Sequence, residues 1–412
     1  MRDTVEVNIY RTLRSVLQFG PVETDATKRR LASAANIDDL RTIAKRRLPA
    51  GVFDYIDGAA EDEVTARRNV LAFQDYEFRP RVLQDVSQID PSVDVLGVRS
   101  PLPLILSPTG FTRLAHPLGE RAVARAAARA GLPYTLSTMS TVSIEDVGAV
   151  STGRTWFQVY TWKDRGLVKE MLDRASVSGY EAIMVTVDTA VLGRRERDVR
   201  RGFTMPPKLG LGTLIDGAKH PAWTWSFARS EPITFANLVG TSENDGSGTA
   251  INLGQHTASQ FQPALSWADV SWFQDNWSGP IILKGIQRVD DAVTAAKLGV
   301  AAVALSNHGG RQLDGAPAPI DLVGPVAQAI GGQVEIYCDG GIRRGSDIVK
   351  ARALGATACM IGRAYLFGLA AGGEAGVDHV LSFFDEGVRR TMALTGNRTM
   401  ATVTDGLVHR RG

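Results

Sequence analysis

Cysteine is almost missing from this chain: two residues, Cys338 and Cys359, in 412. Two thiols cannot build a disulfide framework, and no Cys/His cluster has metal-site spacing, so a stapled scaffold and a zinc module are both excluded. Charge of one sign is missing too. Lys+Arg number 46 against 44 Asp+Glu, a formal +2, which offers no electrostatic reason for a nucleic-acid partner. No run of about 18 apolar residues occurs, so no segment reads as a membrane span. The first twenty residues hold Arg2, Asp3, Glu6, Arg11 and Arg14 with no apolar core, so no secretory leader is read there. What is present is ordinary for a globular protein with a full core: 44% hydrophobic and 22% charged residues. The expectation is a soluble chain in a reducing, cytoplasmic compartment.

The length fits two or three domains, or one α/β barrel with insertions. Residues 1–36 are polar and unpatterned. From Ile37 a helical period begins, with Leu40, Ile43, Ala44 and Leu48 on one face and Asp38 near the N-cap. After Pro101, short apolar runs alternate with helical stretches of roughly 10–15 residues. The apolar runs are Leu102–Ser107, Tyr134–Ser137, Trp156–Tyr160, Ile183–Val187, Ile281–Lys284, Ala302–Ser306, Val334–Cys338 and Ala358–Ile361. They are continuously apolar, as in a parallel sheet covered on both faces. Eight strand–helix units point to an α/β fold of the closed (β/α)8 TIM-barrel type rather than an open doubly wound sheet. The expected division is an N-terminal extension with helices over 1–100, the barrel over 101–396 and a tail over 397–412. Within the barrel, 201–265 follows the fourth strand without a convincing strand of its own, and contains Gly246–Gly248 and the cluster Trp223, Trp225 and Phe227. So long a loop is usually functional or mobile. Its aromatics read either as a lid or membrane-interface element, or as a face packed on the barrel or a neighbouring subunit.

Barrel active sites form at the C-terminal ends of the strands. Pro108, Thr109 and Gly110 follow the first strand; Ser137, Thr138 and Met139 close the second. Gln158 and Tyr160 end the third, Thr186 and Asp188 the fourth, and Lys284 the fifth. Ser306 through Arg311 follow the sixth, Asp339, Gly340, Gly341, Ile342 and Arg343 the seventh, and Gly362 and Arg363 the eighth. Polar groups therefore collect at one rim from every strand. The glycine–arginine pairs of the last two loops suit an anion: glycines admit close backbone approach and guanidiniums donate charge-assisted bonds. Of six histidines only His308 lies on this rim, in a glycine-flanked turn three residues before Arg311. A lone histidine is more often structural than catalytic; this placement favours catalysis.

The stretch Ser306-Asn307-His308-Gly309-Gly310-Arg311-Gln312-Leu313-Asp314 resembles the signature of the FMN-dependent L-2-hydroxy acid oxidases and dehydrogenases, the family of glycolate oxidase, lactate oxidase, L-lactate dehydrogenase and mandelate dehydrogenase. The resemblance runs from about Asp38 to Gly396, through Phe53-Asp54-Tyr55, Pro108-Thr109-Gly110, Phe157-Gln158-Val159-Tyr160, Thr186-Val187-Asp188, Leu283-Lys284-Gly285 and Asp339-Gly340-Gly341-Ile342-Arg343-Arg344-Gly345. The N-terminal extension and long fourth loop look most like actinobacterial-type L-lactate dehydrogenases. The resemblance implies FMN as cofactor, His308 as base and Asp188 as its partner. It implies Arg311 and Tyr55 on the substrate carboxylate, Tyr160 on its hydroxyl, and Arg195 close by. Lys284 would sit by flavin N1 and O2, with Pro108, Thr109, Gly110, Ser137, Gln158, Thr186, Ser306, Asp339, Gly340, Gly341, Arg343, Gly362 and Arg363 lining the flavin. A homotetramer is implied as well.

These residue types suit the reaction. A neutral imidazole takes a proton near pH 7 and a carboxylate favours its charged form. A planar guanidinium matches a carboxylate in bidentate fashion. A fixed ammonium beside flavin N1 stabilises the reduced ring. No Gly-x-Gly-x-x-Gly opens the first βα unit, which speaks against NAD or FAD. Gly110 stands where many relatives carry Ala, and Met139 where glycolate oxidases carry Trp. Both suggest space for a larger, even aromatic, substrate side chain. L-Lactate or a similar acid is the leading substrate, and an aromatic acid of the mandelate type the alternative. A catalytically silent flavin-binding barrel is the reading from another class, disfavoured by the intact His308, Asp188, Arg311 and Tyr55. No fused cytochrome module is expected; oxygen, a quinone or a separate carrier stay open as acceptor. A peripheral position on the inner face of the membrane is the variant of the cytoplasmic reading.

Overall fold

The computed structural model describes residues 23–201, 211–238 and 262–411. Gly246–Gly248 and residues 1–22 lie outside the described residues. Eight parallel strands close into a barrel: β1 (Leu104–Leu106), β2 (Tyr134–Ser137), β3 (Thr155–Tyr160), β4 (Ala182–Thr186), β5 (Ile281–Ile286), β6 (Ala302–Ser306), β7 (Glu335–Asp339) and β8 (Ala358–Ile361). Each pairs with its neighbours in sequence, and β8 returns to β1 through Cys359 opposite Leu104. All residues of β2, β4, β6 and β8 are buried, because the barrel interior takes one side of each strand and a helix covers the other. The eight strand–helix units fall where the hydrophobic pattern puts them, with ends moved by a residue or two. One irregularity matters below: the β5–β6 register shifts between Lys284 and Ile286, leaving Gly285 as a bulge at φ +113°.

Among the described residues four α-helices precede the barrel: Ala26–Ala32, Ile37–Arg47, Ala50–Asp57 and Val64–Leu71. The first falls in the stretch read as unpatterned; Asp25 caps it, accepting the Thr27 and Lys28 amides. The second starts at Ile37, as the period indicates. Asn36, not Asp38, is its N-cap, with its side-chain oxygen 2.9 Å from the Asp39 amide. The C-terminal helices Arg363–Gly372 and Glu374–Thr395 complete the ring, and Arg363–Gly372 packs on Ile37–Arg47. Residues Val408–Arg410 pair antiparallel with Tyr76–Phe78, tying the tail to the N-terminal segment.

The segment after β4 is not a plain loop. It carries the helices Glu196–Arg200, Leu211–Lys219 and Pro221–Ala228. In the last, Pro221 sits in the first turn, where its missing N–H costs nothing. Trp223 faces inward, its indole N–H donating to the Leu114 carbonyl at 2.9 Å, whereas Trp225 is 61% exposed.

Candidate active site

β6 ends at Ser306, and the next turn is built around two asparagines. Asn307 is buried and exchanges amide hydrogen bonds with Asn69 of the helix Val64–Leu71 at 2.8 and 2.7 Å. Its Oδ1 also accepts the Gly310 amide at 3.0 Å. The backbone then turns left-handed three times in succession, at His308 (φ +58°), Gly309 (+66°) and Gly310 (+77°). For a non-glycine residue such a conformation costs about 1–3 kcal/mol. It aims the imidazole across the mouth toward the end of β4, where Nδ1 lies 3.1 Å from Asp188 Oδ1. Burial pulls the His308 pKa below the ordinary histidine value, with Asp188 working against it. Burial works against the Asp188 anion as well, but His308 and Lys284 override it and hold that carboxyl below its usual range. The pair is therefore a neutral imidazole beside a carboxylate, with Nδ1 donating and Nε2 left to accept a proton.

Two guanidiniums face this pair. Arg311 donates through Nη1 to the carbonyls of Tyr55 (2.7 Å) and Gly58 (2.9 Å), and its guanidinium carbon lies 5.0 Å from the Tyr55 ring centre. Arg195 has a buried Nε without a hydrogen-bond partner. Burial, then the like charge of Arg195, push the Arg311 pKa down to about 10. The charge of Asp198 acts on both, but among the described residues no carboxylate hydrogen-bonds either guanidinium, so the place has donors for an anion.

A second such place lies under the last two loops. Gly340 (φ +128°) and Gly341 (φ +82°) follow β7, and a Cβ at 341 would overlap the Asn69 carbonyl, so only glycine brings the chain this close. Arg363 donates to the carbonyls of Ile56, Gly58 and Gly309. Burial and the charges of Arg311 and Arg343 push its pKa down to about 9. Between the two places, Lys284 lies 3.0 Å from both Ser306 Oγ and Asp339 Oδ2. Ser107 Oγ donates to the other Asp339 oxygen at 3.0 Å. Along β2, β3 and β4, Ser137 donates to Gln158 Oε1 and Gln158 Nε2 donates to Thr186, each at 3.0 Å.

One cavity joins these features. Tyr55, Pro108, Thr109, Gly110, Ser137, Met139, Gln158, Tyr160, Thr186, Arg195, Lys284, His308, Arg311, Asp339, Gly340, Gly341, Arg343, Gly362 and Arg363 all line it. Asp188 and Ser306 stand behind the wall, bonded to His308 and Lys284. The same wall includes Ser107, Phe111 and Leu192, which sequence reasoning passed over. Ser107 could have been found, since it ends the first apolar run at the rim. Asn69 had no such signal, because its partner is distant in sequence. Gln312 belongs to the same signature stretch and ties the post-β4 segment to it: its Nε2 donates to the carbonyls of Asp188 (3.1 Å) and Val191 (2.9 Å), and its Oε1 accepts the Gly193 amide at 3.1 Å.

The donor set fits FMN. The half-buried Arg343 and Arg363, lining the cavity with two left-handed glycines, match a terminal phosphate. The polar string from Ser137 to Thr186, with Lys284, matches a planar heterocycle edged with donors and acceptors. Such a cradle behind a histidine–carboxylate pair, at the C-terminal rim of a parallel barrel, defines a barrel oxidoreductase with a phosphorylated cofactor. The model of the FMN-dependent dehydrogenases matches residues 44–410, and the chain belongs to that family, with FMN as its cofactor. It is 47% identical over 387 residues to a putative L-lactate dehydrogenase of Mycobacterium tuberculosis, covering 94% of this chain and 92% of that protein. Identity to the L-lactate oxidase of a Nostoc species is 42%, covering 92% of this chain and 99% of that protein. Among solved structures, the monotopic membrane protein (S)-mandelate dehydrogenase superposes with a TM-score of 0.88 at 37% identity, over 92% of this chain and 100% of that one.

Proposed function

We propose that this enzyme oxidises an L-2-hydroxy acid, L-lactate in the first instance, to the 2-oxo acid, with His308 as the base. The observation that carries the reading is the hydrogen-bonded His308–Asp188 pair facing Arg311 and Arg195, neither of which hydrogen-bonds a carboxylate among the described residues, in the cavity that fits FMN. A substrate carboxylate placed between Arg311 and Arg195 takes up their donors and brings the hydroxyl-bearing carbon toward His308. Tyr55 borders the carboxylate position and Tyr160 the hydroxyl. His308 takes up one substrate proton at Nε2, and Asp188 stabilises the imidazolium that results. Bound flavin would supply the acceptor for the two electrons and for the second hydrogen that leaves the substrate. Lys284, held by Ser306 and Asp339, is the fixed positive charge for the reduced ring.

An aromatic substrate is the second reading, supported by Gly110 and the pliable Met139 side by side in the cavity wall. A Cβ on Gly110 would lie 3.1 Å from Met139 Cβ and 3.2 Å from its carbonyl oxygen, so glycine here makes room for Met139. The exposed Trp225, Phe227 and Ile215 support a peripheral contact at the inner membrane face. Among the described residues no helix is long and apolar enough to cross a membrane. Oxygen, a quinone and a separate carrier are the candidate acceptors, and a homotetramer the assembly to seek by sedimentation. The deciding experiment is anaerobic bleaching of the flavin across a panel of L- and D-2-hydroxy acids, followed by reoxidation with oxygen or a quinone. Bleaching by L-lactate supports the reading, and bleaching by L-mandelate alone favours the second. No bleaching by any L-acid overturns both.

A further inference from the structure

After the helix Pro221–Ala228 the chain returns to the barrel as residues 231–238, and this arm is bolted down. Arg113, 6% exposed, donates to the carbonyls of Glu231 (2.6 Å) and Pro232 (3.3 Å). The Ala236 amide donates to the Ser140 carbonyl at 3.2 Å. Asn237, fully buried, donates to Ser140 Oγ at 2.9 Å and accepts the Ile144 amide at 2.9 Å. Arg174 donates to its carbonyl at 3.1 Å. The arm thus grips the loops after β1 and β2, the same loops that bring Gly110 and Met139 to the cavity.

What this grip delivers is Phe235. It is 1% exposed, and its ring meets Phe111 with centroids 4.6 Å apart and planes at 62°. Phe111 follows Gly110 in a left-handed conformation (φ +55°), lines the cavity, and meets Tyr55 edge-on at 5.9 Å and 89°. Tyr55 in turn lies under the Arg311 guanidinium. Three rings therefore run from outside the cavity to the anion position, and Phe111 has Phe235 at its back. Aromatic pairs in this geometry are directional, so each ring restricts the next.

We propose that Phe235 is a positioning residue for substrate selectivity: by backing Phe111 it fixes how far the wall beside Tyr55 enters the cavity, and so the size of group the site admits on the carboxylate-bearing carbon. The proposal rests on the hydroxy-acid reading only for the substrate's identity. Replacing Phe235 by a smaller side chain lets Phe111 withdraw into the space vacated, and the cavity widens. A purely structural Phe235 would lower stability without altering which ligands fit.

The test uses the FMN-loaded enzyme and carboxylates that cannot react, titrating the flavin absorbance with phenylacetate and with acetate. Phe235→Leu is expected to raise the ratio of phenylacetate to acetate affinity by about tenfold, the scale of a methylene-sized change in a fitted pocket. Phe235→Met, which matches leucine in volume and likewise removes the ring, is expected to raise the ratio to a similar extent. Phe111→Leu should raise the ratio too, and the double variant should gain less than the sum, since the two rings act through one contact. An unchanged ratio in Phe235→Leu protein that retains flavin overturns the proposal. Should that variant lose flavin, an unchanged ratio in Phe111→Leu overturns it equally. If the ratio shifts while no L-2-hydroxy acid bleaches the wild-type flavin, the substrate reading falls and the role of Phe235 stands.

Discussion

His308 is held in a conformation that a histidine does not choose, and most of the holding is done by neighbours with no chemistry of their own. Asn69 and Asn307 lock the turn, Gly309 and Gly310 continue it, and Asp188 receives the ring. His308→Gln should keep the turn and the flavin but remove the base. Anaerobic flavin reduction is then expected to slow by about 10²–10⁴-fold, read by stopped-flow absorbance with flavin content measured in parallel; reduction near the wild-type rate would remove His308 from its proposed role. The direction of its pKa shift sets a second expectation. The base works only when neutral, so the reduction rate falls as pH drops through the His308 pKa. Burial lowers that value, and the acidic limb of the profile should lie below the ordinary histidine value of about 6.5. Asp188 pulls the other way, so Asp188→Asn should move the limb further to acid while also lowering the plateau, because the imidazolium loses its partner. A limb that moves toward alkaline pH in this variant would contradict the assignment.

At the scale of elements, legibility followed periodicity. β2, β6 and β8 coincide with their apolar runs, because a strand buried on both faces has no choice of composition. The insertion was opaque for the opposite reason. Trp223, Trp225 and Phe227 alternate with small polar residues in a period of two, which hides the helix they occupy; Pro221 was the readable sign of its start. The rim residues were legible because each follows an apolar run. Asn69, Gln312 and Phe235 were not, because their roles come from contacts across long stretches of chain. The β5 bulge belongs to this second kind. Gly285 sits in the quoted Leu283-Lys284-Gly285 motif, yet only the fold shows its purpose: a Cβ there would lie 2.7 Å from Asp188 Cβ and 2.8 Å from its carboxyl carbon. Gly285→Ala is therefore expected to displace Asp188 from His308. A misplacement of about 1 Å can cost on the order of 10²-fold in rate. The check is flavin reduction in Gly285→Ala protein of normal flavin content, and a loss of less than about twofold would mean that the bulge does not govern the pair.

Across the whole molecule, the site is shared between the barrel and the segments wrapped around it. Tyr55 comes from the helix Ala50–Asp57, Arg195 from the segment after β4, and Arg311 from the barrel turn; three separate parts of the chain must stay in register to hold one carboxylate. Asp57 joins two of them. It receives Arg41 of the helix Ile37–Arg47 at 2.5 and 2.8 Å, and Arg197 of the post-β4 segment at 2.9 Å; Arg197 also pairs with Glu63. Asp57 lies two residues after Tyr55, and Arg197 two after Arg195, so the bond fixes one substrate-facing residue against the other. Burial opposes the Asp57 charge, but Arg41 and Arg197 override it and hold the carboxyl below its usual range. A carboxyl with a depressed folded pKa contributes stability above its unfolded pKa of about 3.9 and loses it as pH falls through the folded value. Asp57→Asn should thus cost about 1–3 kcal/mol at neutral pH, a range that allows for the partial exposure of both arginines. The stability gap should stay level from pH 8 to about 5 and close only under more acidic conditions. With the tie weakened, KM for the hydroxy acid should rise several-fold while flavin content and the reduction rate at saturation change less, because the altered contact orients Tyr55 and Arg195 rather than His308. Thermal melts across pH, paired with steady-state kinetics, check both halves. A variant with lowered Tm but unchanged KM would confine Asp57 to stability and leave the alignment of Tyr55 and Arg195 to Gln312 and the barrel turn.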